Sequence, residues 1–97
     1  MVRSGVLMDY DYEFVPPLHE GTRHYSVYNN KEKTVIGSVR HEFLENGKNY
    51  WCVDSINWSP HLEYEYGIPR HSGLFTTMFD SPTAAANKIW RRWHGKK

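Results

Sequence analysis

Residues 81–95 decide the fold and read Ser-Pro-Thr-Ala-Ala-Ala-Asn-Lys-Ile-Trp-Arg-Arg-Trp-His-Gly. Ser81 is a favoured N-cap residue, and Pro82 suits the first helical position because its φ is already helical. Gly95 is the residue type that commonly follows a helix end. The stretch therefore predicts a C-terminal helix with an apolar stripe. The stripe consists of Ala85, Ala86, Ile89, Trp90 and Trp93.

The chain before this helix has the pattern of β-strands. Residues 8–14 alternate between apolar or aromatic and acidic side chains, which is typical of a half-buried strand. Gly37 is predicted to mark a bulge or a point of close approach. The predicted fold class is α+β, with an antiparallel β-meander of four to six strands and one C-terminal α-helix packed on one face. The remaining strands are predicted at residues 23–28, 34–44, 50–56 and 74–79.

Asn46-Gly47 is typical of a two-residue type I′ hairpin turn between two of these strands. This turn would place Phe43 opposite Tyr50 and Arg40 opposite Val53, and so divides the hairpin into two faces. The predicted core face contains Val39, His41, Phe43, Tyr50, Cys52 and Ile56. The predicted mixed surface contains Arg40, Glu42, Trp51 and Val53.

The length of 97 residues predicts a single domain spanning residues 1–97. Residues 57–73 are interrupted by Pro and Gly and are predicted to form a long loop or a short-strand excursion. The apolar runs are far shorter than the roughly 20 residues of a membrane span, so we expect no membrane partner. Cys52 is the only cysteine and excludes an internal disulfide, which fits a cytoplasmic protein.

Residue types used in catalysis are present without the spacing that catalysis requires. The six histidines are scattered, and none has a second histidine four residues away as in a helical metal site. Cys52 and His41 fall in the middle of predicted strands, where a buried structural cysteine is favoured over a nucleophile. No Gly-rich phosphate loop is present. We therefore expect no catalytic residues, no metal and no cofactor.

Charge is distributed unevenly, although the net charge is only +1. Residues 83–97 contain five bases and no acid. Because such cations neutralise phosphates and an indole can stack on a base, the first hypothesis is a small nucleic-acid-binding module that uses a sheet face and the basic helix. The same pattern of cations and indoles is also expected for a helix that binds no nucleic acid, with its Trp side chains in the core and its Arg side chains in solvent. The candidate contacts are Arg40, Lys48, Trp51, Lys88, Arg91, Arg92, Lys96 and Lys97.

Residues 73–86 carry a Gly, a strand-like stretch, Phe79-Asp80-Ser81 and then three alanines. The segment resembles the strand-to-helix end of the APETALA/ethylene-response-factor type of DNA-binding module, which also occurs in phage integrases and homing endonucleases. This resemblance covers less than half of the chain. It implies a three-stranded antiparallel sheet on one helix, with Arg and Trp side chains of the sheet in the major groove. Arg40 and Trp51 match those side chains by position.

The second hypothesis is a protein-interaction module, such as a small phage-type inhibitor. Four Trp and seven Tyr exceed what one small core absorbs, and such residues are enriched at interfaces. A third hypothesis is a homodimer formed through the edge strand at residues 8–14. The candidate protein-contact residues are Asp9, Tyr10, Asp11, Tyr12 and Glu13 of the acidic strand and Trp58, Tyr64, Tyr66 and Arg70 of the loop.

Overall fold

The computed structural model describes residues 10–57 and 73–94. The strands form one antiparallel sheet in the order β1-β2-β3-β4, and one α-helix follows them. The predicted fold class, an α+β meander with one packed helix, is therefore confirmed. Most of the excursion predicted at residues 57–73 lies outside the described residues. The elements are β1 (Tyr12–Val15), β2 (His24–Asn29), β3 (Thr34–Phe43), β4 (Asn49–Ile56), a 3-10 helix (Gly73–Thr76) and α1 (Pro82–Trp93).

Helix α1 begins as its sequence predicts. The Ser81 backbone is extended, and its side-chain oxygen accepts a hydrogen bond from the Ala84 N–H at 3.1 Å. Pro82 occupies the first turn, and His94 caps the other end, beyond which Gly95 is not described. All five residues of the predicted apolar stripe are buried. Among the described residues, no helix combines the length and the hydropathy that a bilayer span requires.

Gly37 of β3 is the point where the helix and the sheet come closest. A Cβ atom at this position would lie 2.9 Å from Ile89 Cγ2 and would also collide with the Ser55 carbonyl oxygen. Ala85, Ala86 and Ile89 are completely buried against this part of the sheet. The predicted close approach at Gly37 is thus confirmed, and only a residue without a side chain fits there.

Tyr12 of strand β1 and Tyr10, which precedes the strand, both contact the helix. The Tyr12 hydroxyl donates a hydrogen bond to Asn87 Oδ1 at 2.5 Å, and its ring centre lies 6.0 Å from that of Trp90. The Arg91 guanidinium donates to the Tyr10 hydroxyl at 2.5 Å. Burial, and secondarily the neighbouring Tyr10, raise the pKa of Tyr12 to about 12. These tyrosines therefore hold the sheet edge and the helix together.

The hairpin between β3 and β4 differs from the prediction by one residue. The Leu44 N–H donates to the Lys48 carbonyl at 2.7 Å, so the loop contains three residues, with Gly47 at φ 89°. A type I′ turn also needs a positive φ at Asn46, which that residue does not have. The predicted two-residue turn is therefore wrong. Arg40 lies opposite Cys52, and His41 lies opposite Trp51.

This shift exchanges the two faces of β4, because paired residues project to the same side of a sheet. Trp51 and Val53 lie on the side covered by the helix, and Val53 is 0% exposed although the sequence predicted it on the surface. The opposite side carries Arg40, Glu42 and Cys52. Phe43 was predicted in the core but is 51% exposed, because it lies at the end of β3 next to the loop.

The strand predicted at residues 74–79 is also wrong. A 3-10 helix occupies Gly73–Thr76, and only Phe79 pairs with the sheet. Phe79 and Trp51 exchange two backbone hydrogen bonds of 2.7 and 2.8 Å. Phe75 is buried, but residues 76–78 are all exposed, so the segment lacks the alternation that a half-buried strand requires.

Replacing Gly37 with Ala should lower the free energy of unfolding by about 1–3 kcal/mol, because Ile89 or β4 must move to admit the methyl group. Urea unfolding followed by tryptophan fluorescence measures this change. Thr34→Ala, at an exposed position of the same strand, should change it by less than about 0.5 kcal/mol. Equal losses in the two variants would contradict the close packing at Gly37.

The Tyr12 phenol should make stability fall at alkaline pH. Its pKa is about 12 in the folded protein against 10.0 ordinarily, so the unfolded chain loses this proton first. The stabilisation is complete below pH 10 and is lost as pH rises toward 12. Urea unfolding between about pH 9 and pH 11.5 should show a shallower decline for Tyr12→Phe than for the wild type. Parallel declines would show that Tyr12 does not contribute.

Candidate functional site

A cleft of about 430 Å³ lies between the sheet and the beginning of α1. Three separate parts of the chain form it: the connection between β1 and β2, the helix-facing side of the strands, and the first residue of the helix. Among the described residues that line it, none is Lys or Arg, and Glu20 is the one acid. The lining residues are Leu18, His19, Glu20, Gly21, Thr22, Tyr25, His41, Trp51 and Pro82.

Trp51 is held in this cleft by contacts of its ring and of its backbone. Its ring stacks on His41 with centres 4.5 Å apart and an angle of 5° between the planes. The Tyr25 ring packs at an angle against the Trp51 ring, with ring centres 5.7 Å apart. The Trp51 backbone is hydrogen-bonded to the Phe79 backbone. His41 in turn forms a hydrogen bond from Nε2 to Asn49 Oδ1 at 2.9 Å. The indole is therefore held in place before any ligand binds.

The row of rings continues beyond the cleft to the protein surface. Phe43 lies 4.5 Å from His41 between ring centres, and the Arg23 guanidinium lies 4.5 Å from the centre of the Phe43 ring. We call Phe43, His41, Trp51 and Tyr25 the aromatic row. Leu18, which is 49% exposed, adds an aliphatic side chain to the cleft. The result is a partly exposed apolar surface with a cation at its outer end.

The connection between β1 and β2 is folded against this row. The Tyr25 hydroxyl donates to the His19 carbonyl at 2.8 Å and accepts from the His19 N–H at 3.0 Å. The Thr22 hydroxyl is 2.6 Å from His19 Nε2, and Gly21 has φ 94°, a backbone conformation that glycine adopts without strain. These contacts give the cleft a defined wall.

Arg40, predicted to contact nucleic acid together with Trp51, lies on the other side of the sheet. Its Nε donates to the Glu42 carboxylate, and its NH1 donates to Asp54 Oδ1 at 3.2 Å. Burial alone lowers the pKa of Arg40, but the hydrogen bond to Glu42 and the charges of Cys52, Glu42 and Asp54 raise it overall. The structure therefore pairs Arg40 with acids and does not bring it to Trp51.

Asp54 lies at a break in the register between β3 and β4 and collects polar partners around Arg40. Its Oδ2 is 3.1 Å from His24 Nε2 and 3.3 Å from the Ser38 hydroxyl. In the part of the chain that is described, no group of three or more His, Cys, Asp or Glu could hold a metal ion. Cys52 is buried on this side of the sheet, away from His41. The cluster is a mutually satisfied polar network.

The basic residues of the helix lie in its second half and do not line the cleft. Lys88 and Arg91 are exposed, and Arg92 is partly exposed. Six to ten residues separate them from Pro82, which corresponds to roughly 9–15 Å along a helix. Lys48 is exposed in the hairpin loop, and Lys96 and Lys97 lie outside the described residues. The predicted nucleic-acid contacts are thus spread over several surfaces.

The predicted protein-contact residues have two different outcomes. Tyr10 and Tyr12 contact the helix, and Asp11 Oδ1 accepts a hydrogen bond from Asn30 Nδ2 at 3.1 Å. Glu13 is exposed. The others, which are Asp9, Trp58, Tyr64, Tyr66 and Arg70, lie outside the described residues.

Sequence reasoning missed most of the cleft. Trp51 was a candidate, but Leu18, His19, Tyr25 and Pro82 were not. Pro82 was interpreted only as a helix start, and Tyr25 only as part of a strand. One signal for the cleft was available in the stretch Pro16-Pro17-Leu18-His19 after β1. Its leucine lies outside the predicted strands and helix, so it is not explained as part of their apolar faces.

No protein-family model, curated protein or solved structure matches this chain. The resemblance of residues 73–86 to the APETALA/ethylene-response-factor type of module stays a prediction.

Proposed function

We propose that this chain is a non-enzymatic protein-interaction module that binds an apolar side chain of a partner protein in the cleft. The observation that carries the proposal is the exposed part of the aromatic row, which is Phe43, His41 and Trp51, beside Leu18. Removing apolar surface from water contributes about 25 cal/mol per Å², so covering these rings favours association. Aromatic side chains held rigidly at a surface lose little entropy on binding and often dominate interface energies.

The occupant favoured by the cleft is an extended peptide segment with a proline or aliphatic side chain. Grooves lined by Trp, Tyr and Pro accept such segments, whose stiff backbones are ordered at small entropic cost. A nucleotide fits this site poorly. The described residues of the lining include no Lys or Arg to neutralise a phosphate. Trp51 already stacks on His41 and has Tyr25 packed at an angle against it.

The cleft is tested by selecting peptides from a random library displayed on phage and titrating the selected peptide into ¹⁵N-labelled protein. We expect its resonance shifts to centre on Leu18, His41 and Trp51. Leu18→Glu should weaken binding about tenfold or more, because it places a charge where the apolar side chain binds.

Val35→Glu is the matched control for this experiment. Val35 is also an exposed aliphatic residue, at 38%, but it does not line the cleft. Its affinity for the selected peptide should remain within about twofold of the wild type. Shifts that centre on another surface, or equal losses in the two variants, would contradict the proposal.

Nucleic-acid binding through the second half of the helix is the second candidate function. Helix α1 contains no acidic residue, and its exposed surface carries Lys88, Arg91 and Arg92. A row of cations without acids attracts phosphates whatever the base sequence. The affinity falls as the salt concentration rises, because salt cations compete with the side chains for the phosphates. This function needs neither Arg40 nor the cleft.

A salt titration of labelled duplex DNA, followed by fluorescence anisotropy, tests this candidate. Three helix cations predict a slope of about −2.7 for log K against log salt concentration. Lys88→Gln should reduce the slope by about 1. Lys48→Gln removes the same charge at the hairpin loop and should leave it unchanged. Absence of binding at low salt, or equal effects of both variants, would exclude the helix surface.

A further inference from the structure

Strand β1 forms one edge of the sheet, and its outer backbone groups have no partner among the described residues. The Asn30 N–H donates to the Asp11 carbonyl at 2.9 Å, so the backbone groups of Asp11 and Glu13 face β2. Those of Tyr12 and Phe14 alternate with them and point away from the sheet. Such a row of free N–H and C=O groups is a template for another strand.

We propose that this edge binds a basic extended segment of a partner protein as a fifth strand. This edge is separate from the cleft, whose lining contains no residue of β1. Tyr12 and Phe14 pack toward the helix, so Asp11, Glu13 and Val15 project to the opposite side. Side chains of an added strand lie about 4.5–5.5 Å from those directly opposite. Lys or Arg at alternate positions of that strand therefore meets the Glu13 and Asp11 carboxylates.

The same charges disfavour a second copy of this chain as the occupant. Antiparallel pairing of two β1 strands around their centre brings the two Glu13 carboxylates together, and like charges directly opposite destabilise a sheet. The strand is also only four residues long and is followed by Pro16-Pro17, which cannot donate backbone hydrogen bonds. Charge complementarity thus selects a basic partner over self-association.

The probe is a blocked nine-residue peptide that alternates lysine and valine, titrated into ¹⁵N-labelled protein. We expect slower hydrogen exchange at the Tyr12 and Phe14 amides, because these donate to the added strand. Glu13→Lys should weaken binding about fivefold and should favour the corresponding glutamate–valine peptide. Glu45→Lys makes the same charge change at an exposed loop position and should leave the affinity within about twofold.

A peptide with N-methyl groups on the amides that face β1 separates strand addition from simple charge attraction. It keeps all charges but loses the backbone donors, so it should not bind. Equal binding of the methylated peptide, or unchanged exchange at Tyr12 and Phe14, would overturn the proposal. So would light scattering that shows a dimer in which these amides are already protected. Leu18→Glu should not affect this peptide, which distinguishes failure here from failure of the cleft.

Discussion

The contact between Ile89 and the backbone at Gly37 sets how closely the helix lies on the sheet. The sheet is a single layer, and α1 is what buries its apolar side, including Val39 and Val53. Ala85 and Ala86 contribute to the same closeness because they add little bulk between the two layers. The burial of Trp90 and Trp93 against the same side of the sheet accompanies this close spacing.

Much of the fold was predictable because its determinants are local. An N-cap hydroxyl at Ser81 and a proline after it act within one helical turn, so they mark the helix start without any tertiary information. The hairpin shows the opposite case. Asn46-Gly47 is compatible with hairpin loops of two or of three residues. Which loop length forms depends also on contacts outside the loop, such as the pairing of Trp51 with Phe79 and the irregularity at Asp54. The residue pattern around Asn46-Gly47 gives no information about either contact.

The candidate site was less predictable than the fold because a shift of one residue in a strand reverses its faces. That shift moves Trp51 from a supposed open surface beside Arg40 into the wall of the cleft. The other wall comes from the connection after β1, more than twenty residues away in sequence. A surface assembled from separated segments has no periodicity of its own, so residue patterns could supply single members such as Trp51 but not the set.

The backbone pairing of Trp51 with Phe79 has a consequence for the stability of the whole domain. It joins the hairpin that supplies the cleft to the segment that leads into the helix, only two residues before Ser81. An occupant of the cleft would therefore contact Trp51, the same residue whose backbone holds the junction at which the helix attaches. An occupant that binds the folded chain and not the unfolded one would raise the melting temperature as its concentration increases, so a thermal shift would report whether the cleft is filled.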